Sequence, residues 1–200
     1  MSDSPERPYH HGNLKRVLIE TAGRMLRDDG GWQFTLREVA RGAGVSHAAP
    51  YKHFRDKTAL LAELARQGYL QLRDELQAAI IIREKSPHDQ LLAIAEAHVR
   101  FGISNAPLYR LMFSTEINKD ERSDLNDAAV ASFRPLVDVL TRGQAAGVFK
   151  RAAPEEQAAV CWALFHGLTI FELDRPLSNE NCETQGADGA LAILLEGLLA

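Results

Sequence analysis

The sequence predicts an all-α protein, with a three-helix head at its N-terminal end and a longer helical body after it. Three observations carry that expectation. Apolar residues recur at helical spacing over long stretches, as at Leu14, Val17, Leu18, Thr21, Ala22, Met25 and Leu26. Capping and stop signals bracket such stretches: Thr35 with Glu38 three residues on, the pair Gly30-Gly31, and Pro154. With 46% hydrophobic residues in a chain of 200, there is also enough apolar surface to fill a real core.

In order, Met1 to Pro8 is polar, contains Pro5 and Pro8, and reads as a mobile arm. The first helix follows Tyr9-His10-His11-Gly12 and stops at Gly30-Gly31, after which Trp32 and Phe34 cover the junction with the next element. Thr35 and Glu38 form a capping box that opens a short helix with Leu36, Val39, Ala40 and Ala43 at helical spacing. Gly44 ends it through a left-handed cap, and Val45 folds back onto the core. Ser46 is then expected to cap a second short helix carrying His47, Ala48, Tyr51 and Lys52. Two short helices joined by a tight glycine-containing turn make a helix-turn-helix, whose second helix is narrow enough to enter a major groove. Ala48 and Ala49 allow close approach of the backbone, while Tyr51, Lys52, His53 and Lys57 can donate to phosphate oxygens.

The run Ala43-Gly44-Val45-Ser46, then Tyr51-Lys52-His53-Phe54, then Lys57 and Leu60, resembles the DNA-binding domain of TetR-type transcriptional regulators. The resemblance implies a DNA-binding head over residues 1–57 and a helical ligand-binding and dimerisation domain over 58–200. DNA contacts are expected from Thr35, Arg37, Ser46, His47, Ala48, Tyr51, Lys52, His53 and Lys57, with His10 and His11 near phosphate. Pro50 stands where the family more often has Leu or Ile. It removes one hydrogen bond and disfavours helical geometry at Ala49, so the second helix is expected to persist while its exact pitch and base contacts stay open.

In the body, Leu61, Leu64, Ala65, Gly68, Leu72, Leu76 and Ala79 continue one apolar stripe from Thr58 to about Ile82. This helix reads as a lever, with Lys57 beside DNA at one end. Its N-terminus also suits a phosphate. Ser86-Pro87-His88 opens a helix to about Ser104, and Asn105-Ala106-Pro107 a short one with Leu108, Leu111, Met112 and Phe113. A charged loop, Lys119 to Arg122, precedes a helix from about Ser123 to Ala146, in which Pro135 is a candidate kink. Residues 155–173 and 187–199 are helices apolar nearly all round, separated by a polar loop from Asp174 to Gly186. A helix apolar on every side has to be buried on every side, so this pair is expected to form a four-helix bundle with its copy in a two-fold homodimer. Cys161, Leu164, Leu168, Leu191, Leu194, Leu195 and Leu198 are the expected interface.

The candidate ligand pocket gathers His98, Phe101, Met112, Phe113, Phe133, Leu140, Trp162, Phe165 and His166, with Glu172 as a further polar anchor. Core filling is the competing explanation for each aromatic. The stretch Trp162-Ala163-Leu164-Phe165-His166-Gly167-Leu168 resembles the Trp-to-His-Gly signature of one C-terminal subclass of these regulators.

Charge and motif content exclude other classes. Up to Lys57 there are ten basic and seven acidic residues, and beyond it 13 basic and 20 acidic, a mildly basic head on an acidic body. There is no glycine-rich phosphate loop, no nucleophile elbow and no pair of metal-binding histidines on one helical face, so no catalysis and no cofactor or metal are expected. Apolar runs are too short to cross a bilayer, the N-terminus has no apolar signal core, and the two cysteines form no disulfide framework, which together suggest a cytoplasmic protein without membrane partners. The expected partners are a double-stranded, near-palindromic operator, a second copy of the chain and a small-molecule effector. The competing reading is a helical protein-binding adaptor with no small-molecule ligand.

Overall fold

Helix boundaries follow the local signals closely. The computed structural model describes residues 11–28, 30–82, 86–117, 123–174 and 186–199. Among them run α1 (His11–Asp28), α2 (Leu36–Gly42), a single 3-10 turn (Pro50–Lys52), α3 (Lys57–Ile82), α4 (Pro87–Ser104), α5 (Ala106–Met112), α6 (Ser123–Ala145), α7 (Pro154–Asp174) and α8 (Gly186–Leu198). The arm expected at 1–8, the charged loop at 119–122 and the polar loop across 175–185 lie outside the described residues, as do the side chains of His10 and His11.

The head is held by short-range chemistry. Thr35 Oγ1 accepts from the Glu38 amide at 3.2 Å, and the Glu38 carboxylate accepts from the Thr35 amide at 2.7 Å, closing the capping box. At the other end the Val45 amide donates to Ala40 O at 3.0 Å and the Gly44 amide to Arg41 O at 3.1 Å, a Schellman arrangement that needs the positive φ of 69° at Gly44. Leu18, Ala22, Val39 and Ala40 are completely buried between α1 and α2, with Phe34 and Phe54 closing the ends of the core.

The second helix of the motif differs from expectation. Ser46, His47 and Ala48 lie in a turn, and only Pro50–Lys52 is helical, as one 3-10 turn with no side-chain cap. Proline is the reason. Pro50 has no N–H to give to Ser46 O, and that carbonyl instead accepts from the Ala49 amide at 2.9 Å. The next bonds, Lys52 to Ala49 O and His53 to Pro50 O, keep the same three-residue step. Pro50 itself is buried, so its ring still fills an apolar site at the cost of helical pitch.

α3 is the member that head and body share: it packs against α1 on one side and α4, α5 and α6 on the other. One continuous core runs from Leu14 to Leu198. The body tightens where side chains are missing. A Cβ on Gly102 of α4 would overlap Thr169 Cγ2 of α7, and one on Gly143 of α6 would overlap the Phe149 ring. Phe149 also bridges to Leu199, and the Lys150 amide donates to Leu198 O at 2.8 Å, tying the turn before α7 to the end of α8.

α7 and α8 bury one stripe and expose another. Ala158, Cys161, Phe165 and Thr169 face inward on α7, and Leu191, Leu195 and Leu198 face inward on α8. Cys161, Leu191, Leu195 and Leu198 therefore belong to the subunit's own core and not to its free surface, because the helical repeat turns Cys161 toward the helices that pack on α7, α4 and α6, and the three leucines toward those that pack on α8, α4 and α7. Leu164, Leu168 and Leu194 sit half-buried at the margin. The outward residues are Val160, Phe171 and Ile193, exposed by 60%, 53% and 73%.

Gly102→Ala is expected to destabilise the fold by about 1–2 kcal/mol, since overpacking against Thr169 outweighs the helix propensity gained. Urea unfolding checks this; a variant as stable as the parent would show that α4 and α7 can separate without cost.

Candidate nucleic-acid interface and a buried polar triad

The nine head residues singled out from the sequence fall into three groups. Thr35 and Arg37 lie at the start of α2, where the Thr35 side chain is already committed to capping. Ser46, His47, Ala48, Tyr51 and Lys52 are all exposed on the turn and the 3-10 segment, Tyr51 by 54%. They form one continuous polar edge with an aromatic ring in it, the composition that meets phosphates and base edges. His53 and Lys57 are half-buried. The Lys57 ammonium lies over the Phe34 ring, 5.7 Å from its centroid, and Lys15 lies similarly over Phe54 at 5.9 Å.

The start of α3 is less open to an anion than the sequence suggests. Asp56 Oδ1 accepts from the Ala59 amide at 2.8 Å, and Arg55 Nε donates to Asp56 Oδ2 at 2.9 Å. A carboxylate thus already occupies one of the amides that would receive a phosphate. Glu38 is also held below the usual carboxylate range, chiefly by the backbone and hydroxyl bonds of Thr35 and in lesser part by Arg41 and Lys57.

In the body, the expected ligand residues divide. His98, Phe101, Phe113, Phe133, Trp162, Phe165 and His166 do converge, in a chain of ring contacts between 4.4 and 6.4 Å. Met112 instead packs on Gly68 of α3, and Leu140 is buried on α6. The centre of the cluster is a residue that sequence reasoning missed. Tyr109 of α5 places its hydroxyl 2.8 Å from His98 Nε2 of α4 and 2.8 Å from His166 Nδ1 of α7. A phenol has one proton, so it donates to one imidazole and accepts from the other. His98 Nδ1 has no partner among the described residues. We assign the tautomer that leaves a lone pair there: His98 Nε2–H donates to Tyr109, and the Tyr109 hydroxyl donates to His166 Nδ1. A Tyr on a buried helical face, in a chain with two histidines at apolar positions, was the available signal, because buried imidazoles need a partner.

Burial sets the protonation of this triad. Removal from water, and secondarily the neighbouring His166, push His98 down to about 3, so it is neutral at physiological pH. Desolvation raises Tyr109 well above the ordinary tyrosine value. Burial also pushes the Cys161 thiol up to about 12. Among the described residues no three His, Cys, Asp or Glu side chains gather as a metal-ligand set, and no helix is long and apolar enough to cross a membrane. None of the nine expected pocket residues lines the open groove of about 610 Å³ that the structure does contain, which lies between α1, α3 and the turn from α4 to α5. His98–Tyr109, His98–Trp162 and Phe133–Trp162 meet edge to face and Tyr109 stacks on His166, so the rings at the expected site pack against one another.

A capped helix-turn-helix head on an all-helical body is the build of a helix-turn-helix transcription regulator. Residues 18–64 match the family described as bacterial regulatory proteins, tetR family, and residues 91–195 match the tetracyclin repressor-like C-terminal domain. The chain belongs to the TetR family. A protein of unknown function from Rhodococcus sp. RHA1 is 36% identical, with a TM-score of 0.84 over 98% of this chain and 100% of that one. The HTH-type transcriptional regulator BetI of Agrobacterium fabrum is 36% identical over 87 residues, which are 44% of this chain and 41% of that protein, so the match spans less than half of the relative. The TetR family transcriptional regulator PfmR from Thermus thermophilus shares the fold, with a TM-score of 0.63 at 20% identity over 88% of this chain and 94% of that one.

His98 gives the fold a defined pH response. Its folded pKa of about 3 lies below the ordinary value of 6.5, so the unfolded chain binds the extra proton between those values. Stability therefore falls as pH drops through 6.5 and levels off near 3, with about 2 kcal/mol lost between pH 7 and 5. Urea unfolding at both pH values measures it. His98→Gln should remove that part of the slope; an unchanged slope would mean that His98 is not the buried neutral group described.

Proposed function

We propose that the protein is a homodimeric, effector-responsive repressor that binds a near-palindromic operator through two copies of its head. The observation that carries the reading is the exposed polar edge Ser46-His47-Ala48 with Tyr51 and Lys52, presented by a rigidly capped α2. Thr35, Arg37, His53 and Lys57 flank that edge and are assigned to phosphate contacts. Two heads reading successive major grooves must sit about 34–36 Å apart, or a helical multiple of that.

The dimer is supported by the exposed apolar face of α7 and α8, where Val160 and Ile193 stand largely in the open within one subunit. Leu164, Leu168 and Leu194 extend that face from its half-buried margin. Gly167 lies on it with open space around its Cα, which lets a partner helix approach closely. The Trp162 to Gly167 run on α7 supports assignment of the body to the Trp-His-Gly subclass. An effector would act by binding better to one head spacing than to the other.

Selection of bound fragments from a random DNA pool, re-measured across a salt series, tests the reading. An enriched near-palindrome bound about 10³-fold or more above random DNA, with affinity falling steeply as salt rises, is the expected result. Tyr51→Ala and Lys52→Ala should each weaken operator binding by about 1–3 kcal/mol, with Lys52→Ala also reducing the salt slope. If neither changes affinity, the docking edge is wrong and a protein-binding adaptor becomes the better reading.

Val160→Asp should leave the subunit folded, since the side chain is exposed, and convert the protein to a monomer in sedimentation. A Val160→Asp protein that remains dimeric would place the interface elsewhere.

A further inference from the structure

The groove of about 610 Å³ between head and body has the size of a small-molecule site and no assigned occupant. Its walls come from three places: α1 on the head, α3, and residues 103–108 at the turn from α4 to α5. Ile19, Leu26, Leu64 and Leu108 give it an apolar lining. Ile103, exposed by 48%, adds an apolar rim that nothing within the subunit covers.

Charge narrows the occupant. Arg24 and Arg27 stand three residues apart on α1, hence side by side on one helical face. Arg24 donates to the Thr21 hydroxyl at 3.2 Å, a neutral partner, and neither guanidinium has a carboxylate partner among the described residues. Glu20 is the one acidic residue of the lining, and its carboxylate is already paired at 3.1 Å with Arg16, which lies outside the groove. The lining therefore presents two uncompensated forks of N–H donors above an apolar surface. Guanidinium forks match a carboxylate in bidentate fashion.

We propose that this groove binds a small amphipathic carboxylate, with its acid group on Arg24 and Arg27 and its apolar body against Leu26, Leu64 and Leu108. Gly23, beside Arg24 on α1, keeps the space open: a Cβ there would stand 3.7 Å from Leu64 Cδ2 and 3.8 Å from Arg27 Nη1. One methyl fits, and a longer side chain projects into the space between Leu64 and Arg27. Because the walls belong to both head and body, a bound ligand favours the head position in which the groove is formed. The site does not depend on the operator reading, since its occupancy is measured without DNA.

Calorimetric titration with decanoate, decanol and decyltrimethylammonium, each below its aggregation threshold, tests the proposal. Decanoate is expected to bind and to raise the melting temperature, at least about tenfold more tightly than either matched compound. The double variant R24Q/R27Q should lose about tenfold or more in decanoate affinity, and Gly23→Leu should abolish binding. Both arginines are at the surface, so the double variant remains decisive if Gly23→Leu fails to fold. Equal binding of decanol, preference for the cation, or unchanged affinity in the arginine variant would each overturn the assignment.

Discussion

A single helix carries the mechanical continuity of this protein. α3 runs for 26 residues, about 39 Å, and its apolar side chains are buried at both ends: Leu60, Leu61 and Leu64 toward the head, and Tyr69, Leu72 and Leu76 toward the body. A close-packed helix of this kind transmits displacement, since neither end can shift without disturbing the side chains that surround it. Two further links brace the same junction. α1 packs on α5, and the Trp32 indole donates to the Glu116 carboxylate at 2.7 Å across 84 residues of sequence.

α5 is short, yet it packs against α1, α3 and α4. In seven residues it presents Tyr109 to histidines on α4 and α7, while the Met112 carbonyl accepts from the Tyr69 hydroxyl of α3 at 2.7 Å. The head therefore connects through α5 to α7, the helix whose outer face exposes Val160. Buried polar contacts of this kind are directional, so they admit few alternative arrangements, and removal of one member leaves its partners unsatisfied.

What the sequence disclosed was what neighbours in sequence determine. The Thr35 to Glu38 box, the Gly44 cap, the start of α4 at Pro87 and the start of α7 at Pro154 each involve residues within five positions of one another, and each is where spacing placed it. The apolar residues of α7 and α8 were legible as buried, but their facing was not, because apolar residues on all sides give no angle from which to distinguish Cys161 from Val160. Pro50 by itself implies the local loss of one bond; in the structure three successive bonds, from Ala49, Lys52 and His53, take a three-residue step, and the four-residue step returns only where the Phe54 amide donates to Pro50 O at 2.9 Å. The Tyr109 contacts join positions 11 and 57 residues apart, and only the packing of α4, α5 and α7 brings them within hydrogen-bond reach.

The inward placement of Cys161 on α7 has a practical reading. Thiolate is the reactive form of cysteine, and a completely buried thiol pushed up to about 12 offers almost none of it at neutral pH. Alkylation of this side chain can proceed only when α7 leaves its place against the core, so the labelling rate of the Cys161 peptide clocks the breathing of that helix. Anything that clamps α7, whether a second subunit on its outer face or a ligand felt through α5, slows the clock, and the protein thereby carries its own reporter of how firmly that helix is held.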